Sequence, residues 1–189
     1  MDPGQGLLDL HGLFGNSHPV VLDIGFGDGE ALALLGGQYP HLNFLGIEVY
    51  RPGVGSLLRK IADNGLGNVR VLNMDAVTVL REHIAAASLA AVLVWFPDPW
   101  PKRRHHKRRL IQEQFVQLVA DRLASRGELS IATDWQPYAH AIREVLDRCT
   151  AFRKTGGSAL IRQRPHTKFE RRGLRLGHRV FEQVYCRTR

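Results

Sequence analysis

Cysteine is scarce in this 189-residue sequence: Cys149 and Cys186 are the only two, and neither has a cysteine or histidine at metal-ligand spacing. A disulfide-stapled mini-protein is therefore excluded and a zinc site is disfavoured. The longest apolar stretch, Leu89 to Pro97, is far too short to cross a bilayer, and no N-terminal stretch resembles a secretory signal. We expect a reduced, cytoplasmic protein that binds neither a metal nor a membrane.

Internal repeats and low-complexity segments are also absent. Hydrophobic residues (44%) and charged residues (23%) are close to the averages of globular proteins, which excludes overall disorder. The length fits one domain, at most with a small appendage. We expect a single domain over 1–189, with a short N-terminal segment at 1–19 and a basic C-terminal part at 151–189.

Acidic side chains are rare in that C-terminal part. Residues 151–189 contain 11 Lys/Arg but only Glu170 and Glu182, a net of +9, whereas residues 1–150 have a net of −1. A second basic segment, Lys102–Arg109, carries +6. One such run is often a solvated helix face, but two basic segments on an acidic body favour a nucleic acid or another polyphosphate as the partner.

Short apolar runs alternate with segments of helical spacing along most of the chain. We predict strands over 20–24, 42–47, 69–72, 90–96 and 128–133, and helices over 29–36, 52–64, 76–82, 107–123 and 137–149. Five strand–helix units in a row predict an α/β fold with a doubly wound, mostly parallel sheet. Residues 178–187 alternate at strand period, and we expect them to pair antiparallel with Ala159–Arg162 and close the sheet.

A sheet of this kind binds its ligand at the carboxyl ends of its strands. The first strand is followed by a G-x-G-x-G turn at 25–29, and Glu30 stands where the nicotinamide fingerprint needs a glycine. Asp28 and Glu30 would repel a pyrophosphate at this helix N-terminus, which disfavours a nicotinamide dehydrogenase. S-adenosylmethionine, with its sulfonium and amino groups, fits the acidic turn.

The next two strands are also followed by acids. Glu48 lies at the distance from the glycine turn at which a carboxylate reaches a ribose diol. Asp75 follows the third strand, where it would accept a hydrogen bond from an adenine amino group or cap the following helix. Each acid alone would be unremarkable at a strand end, whereas the set indicates a cofactor site.

The loops after the fourth and fifth strands each combine an acid with aromatic side chains. Two prolines restrict the loop Phe96-Pro97-Asp98-Pro99-Trp100, and Thr133-Asp134-Trp135 follows the next strand. We expect Asp98 and Asp134 to face a shared pocket with aromatic walls.

Taken together, these motifs resemble those of the bacterial tRNA (guanine-N7-)-methyltransferase family. The resemblance covers nearly the whole chain from Val20 onward, and the motifs at 96–105 and 164–178 are its most specific part. It implies a class I methyltransferase fold, a Rossmann-like sheet of seven strands whose last strand is antiparallel. It also implies S-adenosylmethionine as methyl donor, S-adenosylhomocysteine as product, tRNA as partner, no metal, no protein partner, and a monomer or homodimer.

The resemblance implies roles for particular residues. Cofactor binding falls to Asp23, Gly25, Gly27, Glu48, Asp75 and Asp98. Substrate binding falls to Lys102, Asp134, Thr167, Lys168, Phe169 and Glu170, and the catalytic candidates are Asp98 and Asp134. Two features depart from the family: Asp23 stands where glutamate is usual, and about 19 residues precede the first strand where a longer segment implicated in tRNA binding is usual. The second departure is consistent with a shortened chain or a late start codon.

Methylation of guanine N7, at position 46 of the tRNA variable loop according to the resemblance, suits these residues. N7 has a free lone pair, so no proton need be removed and no strong general base is required. Alignment for in-line displacement can lower the barrier by about 7–11 kcal/mol in the best cases. We expect Asp134 or Glu170 to face the ring and stabilise its growing positive charge, or to bind its N1–H and amino group.

Two other functions stay open. A methyltransferase of an exocyclic base amine should carry Asn/Asp-Pro-Pro-aromatic after strand four, whereas Trp100 directly follows Pro99 here. A non-catalytic RNA-binding module on the same fold would have no reason to keep acids at 23, 48, 75 and 98.

Overall fold

The apolar runs of the sequence form one seven-stranded sheet. The computed structural model describes residue 4 and residues 6–188, except for the side chains of Lys168 and Phe169. Its strands are β1 (Val20–Ile24), β2 (Asn43–Ile47), β3 (Val69–Leu72), β4 (Leu89–Trp95), β5 (Leu123–Thr133), β6 (Phe152–Lys154) and β7 (Phe181–Arg187). Their order across the sheet is β3-β2-β1-β4-β5-β7-β6. Neighbours among β1 to β5 are parallel, and β7 pairs antiparallel with both β5 and β6, so the predicted fold class is confirmed.

Helices cover both faces of this sheet. They are α1 (Leu10–Phe14), α2 (Glu30–Gln38), α3 (Arg51–Asn64), α4 (Ala76–Glu82), α5 (Glu113–Arg122), α6 (Gln136–Arg148), α7 (Ala159–Arg162) and α8 (Lys168–Arg175). Buried side chains of α1, α4, α5 and α6 pack with one set of strand residues, and those of α2, α3 and α7 pack with the other set. Helix α8 lies at the carboxyl ends of the strands, and its Leu174 is 47% exposed.

The strand predicted at Ala159–Arg162 is wrong, because these residues form α7 and the partner of β7 is β6. Leu160 and Ile161 are adjacent and both buried against the same apolar cluster. A strand would send neighbouring side chains to opposite faces, whereas a helical turn buries both on one side. Strand β6 escaped prediction because it is only three residues long and two of them are exposed and basic.

The helix predicted over 107–123 is interrupted. A 3-10 helix, Arg103–Arg108, ends before α5 begins at Glu113. Between them, Tyr138 Oη accepts a hydrogen bond from the Ile111 N–H at 3.1 Å, and the Gln112 side chain donates to the carbonyl of Arg109 at 2.7 Å. Side chains therefore satisfy backbone groups that a continuous helix would have used.

The C-terminal part contributes an interior strand, since β7 lies between β5 and β6. Within residues 6–188, no helix combines the length and apolar character needed to span a bilayer. The same residues contain no group of three or more His, Cys, Asp or Glu side chains arranged to hold a metal ion.

Candidate active site

The turn after β1 adopts a backbone conformation that glycine favours. Gly25, Gly27 and Gly29 all have positive φ, at 76°, 62° and 74°. Glu48, which follows β2, holds this turn: its Oε2 accepts a hydrogen bond from the Gly27 N–H at 2.9 Å. Its Oε1 accepts from the N–H groups of the next two residues, at 2.8 and 2.9 Å. The acid therefore fixes the glycine turn whatever else it binds.

Asp23 is a buried carboxyl group near the end of β1, with 3% of its surface exposed. It borders a narrow space, the inner cavity, which is lined by Asp23, Gly25, Phe26, Gly27, Asp28, Ala31, Trp95, Phe96 and Thr167. Burial, and secondarily the negative charge of Glu48, raises the pKa of Asp23 to about 7. Because no residue in the described part of the chain donates a hydrogen bond to this carboxyl group, it fits a ligand that brings a positive charge.

A second space, the outer hollow, adjoins the inner cavity at Phe96. It is lined by Phe96, Pro97, Asp98, Pro99, Asp134, Arg172, Gly173, Leu176 and His178. Asp98 and Asp134 thus share one space, but Asp98 does not line the inner cavity with Asp23. Phe96 supplies the aromatic wall, and neither Trp100 nor Trp135 lines the hollow.

The loop after β4 is held under backbone strain. Phe96 and Trp100, at its two ends, have φ of 57° and 43°, which bulky residues rarely adopt. Arg109 supports the loop, because its Nε donates a hydrogen bond to the Pro99 carbonyl at 2.9 Å. Its guanidinium lies 4.7 Å from the centre of the Tyr138 ring. Strain of this kind persists only where the surroundings enforce it, and it occurs most often at functional sites.

The basic segment 102–109 divides into exposed and buried parts. Lys102 and the 3-10 helix Arg103–Arg108 have no buried residue, whereas Arg109 is only 7% exposed. The Arg108 guanidinium lies 5.0 Å from the centre of the Trp100 ring. Five of the six cations in the segment are therefore exposed to a polyanion.

The N-terminus of α8 borders the inner cavity. Thr167 lines that cavity and caps the helix, with its Oγ1 accepting from the Glu170 N–H at 3.1 Å. Glu170 is buried, and Arg164 donates to its two carboxylate oxygens at 2.6 and 2.9 Å. Burial raises the pKa of Glu170, but hydrogen bonds and charge from Arg164 and His166 outweigh it and hold this pKa below its usual range. The structure therefore places Asp134, and not Glu170, at the outer hollow.

Asp75 lines neither of the two spaces. Asp75 is exposed and caps α4, with its Oδ1 accepting from the Thr78 N–H at 2.9 Å. The side chains of Lys168 and Phe169 lie outside the described part of the structure.

The sequence analysis assigned no role to four residues of the site: Arg164, Arg171, Arg172 and His178. Both acids of the C-terminal part, Glu170 and Glu182, pair with Arg164 at 2.6 Å. Arg171 pairs with Glu30 at 2.5 Å, which ties α8 to α2, and His178 contacts Asp134. The rarity of acids after residue 150 was the available signal for Arg164. The motif at 164–178 contains the other three, but it did not indicate which residues they contact.

The sheet order, with an antiparallel β7 between β5 and β6, and the glycine turn held by Glu48 define a class I methyltransferase fold. A solved structure described as a SAM-dependent methyltransferase from Aquifex aeolicus has the same fold, with a TM-score of 0.60 over 95% of this chain and 90% of that one, at 14% identity. A family model described as "Putative methyltransferase" matches residues 17–183.

Two curated relatives, both called tRNA (guanine-N(7)-)-methyltransferase, specify the family. The protein from Halorhodospira halophila is 49% identical over 97% of this chain and 81% of its own length. The protein from Alkalilimnicola ehrlichii is 51% identical over 97% of this chain and 78% of its own length. The chain belongs to the tRNA (guanine-N7-)-methyltransferase family.

Proposed function

We propose that this protein transfers a methyl group from S-adenosylmethionine to N7 of a guanosine in tRNA, at position 46 of the variable loop. The observation that carries the proposal is the pair of adjoining spaces at Phe96. One contains Asp23, a buried carboxyl group to which no described residue donates a hydrogen bond, and the other contains two acids, Asp98 and Asp134. The names of the relatives supply the substrate.

In this proposal the residues around the glycine turn hold the methyl donor. Asp23 binds its amino group, because a buried carboxylate gains most from an opposite charge. Glu48 binds the ribose diol with lone pairs left over from its backbone contacts, and the Asp75 oxygen that does not cap α4 accepts from the adenine amino group. When bound, the donor supplies an electrophilic methyl group on a sulfonium.

The outer hollow holds the guanine. Asp134 accepts hydrogen bonds from the N1–H and amino groups of the base and offsets the positive charge that the ring acquires. Asp98, on the strained loop, lies between the donor and the guanine, on the side of the outer hollow. Thr167 lies on the other side, where it lines the inner cavity. The N7 lone pair is already free and the leaving sulfide is neutral, so the reaction requires neither a general base nor a Lewis acid.

The basic segments hold the tRNA backbone. The chain acts as one methyltransferase domain, 1–189, and its C-terminal part, 151–189, binds the substrate. Lys102 and the 3-10 helix provide exposed cations on one side, and Arg172 lies at the outer hollow itself. Phosphate contacts of this kind position the substrate without reading its sequence. The protein acts as a monomer or homodimer without another protein partner.

The test is to incubate the protein with labelled S-adenosylmethionine and a tRNA transcript, and to map N7-methylguanosine by mass spectrometry of nuclease digests. The expected product is a single N7-methylguanosine at position 46, and a transcript with adenosine at that position should accept no label. Label on an exocyclic amine would instead favour the alternative methyltransferase. Donor binding without any transfer would favour a non-catalytic RNA-binding module.

Asp134→Ala is expected to lower turnover by about 10²–10³-fold, because it removes the group that stabilises charge in the transition state. Donor affinity, measured by calorimetry, should change less than about twofold, since Asp134 lies in the outer hollow and not in the inner cavity. Asp134→Asn, which keeps the shape and removes the charge, separates electrostatic stabilisation from packing. Lost donor binding in Asp134→Ala would contradict the assignment to guanosine.

Binding of tRNA is expected to depend steeply on salt. Five exposed cations that each neutralise one phosphate give a slope of about −4 in a plot of log affinity against log salt. Replacing Lys102, Arg103 and Arg104 by alanine should reduce that slope by about 2–3, as measured by fluorescence anisotropy. Arg81→Ala, at the far end of α4, is the matched control and should leave it unchanged. A nearly flat dependence in the wild type would argue against a phosphate-binding role.

A further inference from the structure

One side chain contacts the proposed guanine-binding acid directly. His178 Nδ1 lies 3.0 Å from Asp134 Oδ2, and both residues line the outer hollow. Since a carboxylate oxygen can only accept, the imidazole nitrogen that faces it carries the proton and donates. The other oxygen of Asp134, Oδ1, accepts no hydrogen bond from any residue that the structure describes.

The backbone that follows α8 places the His178 imidazole against Asp134. Gly177 turns the backbone with a φ of 76°, and the His178 N–H then donates to the Gly173 carbonyl at 2.9 Å. The histidine is therefore fixed through its backbone to the last turn of α8, while Asp134 is fixed to the end of β5. Their contact joins the two elements across the outer hollow.

Gly173 permits this close approach. A Cβ atom at this position would lie 3.1 Å from Asp134 Oδ2 and 3.7 Å from His178 Nδ1, so the backbone of α8 packs directly against the pair. The Oδ2 side of the carboxylate is thus enclosed by α8 and the imidazole.

We propose that His178 is a positioning residue that holds Asp134 by Oδ2 and leaves Oδ1 to receive the guanine. The inference rests on the proposed function, because it concerns the acid that would bind the base. A hydrogen bond to one carboxylate oxygen fixes the orientation of the side chain. The side chain therefore loses less conformational entropy when the substrate binds. Asp98 and Arg172 are the other charged groups lining the hollow, and no described contact ties either of them to Asp134.

The experiment compares His178→Ala, His178→Asn and His178→Gln in kcat/KM for tRNA. Asparagine places an amide N–H where Nδ1 lies, and glutamine places one nearer to Nε2. We expect His178→Ala to lower kcat/KM by about tenfold to hundredfold and His178→Asn to recover most of the loss, with His178→Gln remaining close to alanine. Donor affinity by calorimetry should stay within about twofold in all three variants.

A double-mutant cycle shows whether His178 acts through Asp134. In an Asp134→Ala background, His178→Ala should cost less than about twofold, because the residue that it positions is already gone. Additive losses, or no difference between the asparagine and glutamine variants, would overturn the proposal. If the wild type forms no N7-methylguanosine, the proposed function fails. A crystal structure of His178→Ala then decides the positioning claim by itself, which fails if Asp134 keeps its rotamer.

Discussion

Asp23→Asn is expected to abolish tight binding of S-adenosylmethionine while raising the melting temperature of the ligand-free protein above pH 7. The carboxylate is buried and would be the partner of the donor's amino group, so its loss should weaken donor binding by about 2–5 kcal/mol. Without donor, the same buried charge opposes folding. The asparagine keeps the shape and removes that penalty, and calorimetry together with thermal unfolding measures both effects.

The pH dependence gives the sign of the second effect. The folded pKa of Asp23 is about 7 against an ordinary value of 3.8, so between these values the folded protein holds a proton that the unfolded chain releases. Stability falls as pH rises through this window, and the penalty is complete above pH 7. The melting-temperature gain of Asp23→Asn should therefore be larger at pH 8 than at pH 5.

Donor binding should have the opposite trend, because it needs the ionised carboxylate. Below pH 7, the affinity of the wild type should fall by about tenfold per pH unit, whereas Asp23→Asn should lack this dependence. Asp23→Glu, which keeps the carboxylate, is the matched control and should bind the donor. Unchanged affinity in Asp23→Asn, or a lower melting temperature at pH 8, would show that Asp23 is not the buried acid that binds the donor.

Sequence reasoning succeeded where one local pattern had one structural outcome. The apolar runs at β1 to β5 predict buried parallel strands. Because the carboxyl ends of parallel strands lie at one edge of the sheet, the sequence also predicts that Asp23, Glu48 and Asp75 lie at that edge. It failed at α7, because two adjacent apolar residues suit a short strand as well as one buried helical turn. Only the surrounding cluster decides between them.

The candidate site shows the same division. A strand-end position is visible in the sequence, but the partner of a charge is not. Glu30 was interpreted as a repulsive charge near the glycine turn, whereas it pairs with Arg171, which is 141 residues away in the chain. The sequence groups Arg109 with the other cations of the basic segment, whereas the structure buries it under the loop after β4. Both outcomes depend on how distant elements meet.

The other large effect is expected from Glu170→Ala, which should release α8 from the sheet. The Arg164 side chain is 6% exposed and lies over the rings of Trp95 and Phe96, so it cannot be rehydrated where it is. Removing one partner of a buried ion pair costs about 3–5 kcal/mol. Amide hydrogen exchange in residues 168–175 should therefore accelerate by roughly 10²-fold or more, because Glu170 is the residue that anchors α8 to the buried Arg164 side chain.

Glu182→Ala is the matched control, because Glu182 pairs with the same guanidinium at 2.6 Å but its side chain is 53% exposed. Water replaces an exposed partner readily, so this variant should change the free energy of opening of α8, as measured by hydrogen exchange, by no more than about 1 kcal/mol.

The low pKa of Glu170 makes the anchoring of α8 depend on pH. The ion pair is fully formed above the ordinary carboxyl pKa, and it weakens as pH falls through the lowered pKa of the folded protein. Because Thr167 at the start of α8 lines the inner cavity, Glu170→Ala should also weaken donor binding without altering any residue of that cavity. Equal exchange rates in the two variants would mean that α8 is held by Arg171 and His178, and that the buried pair is dispensable.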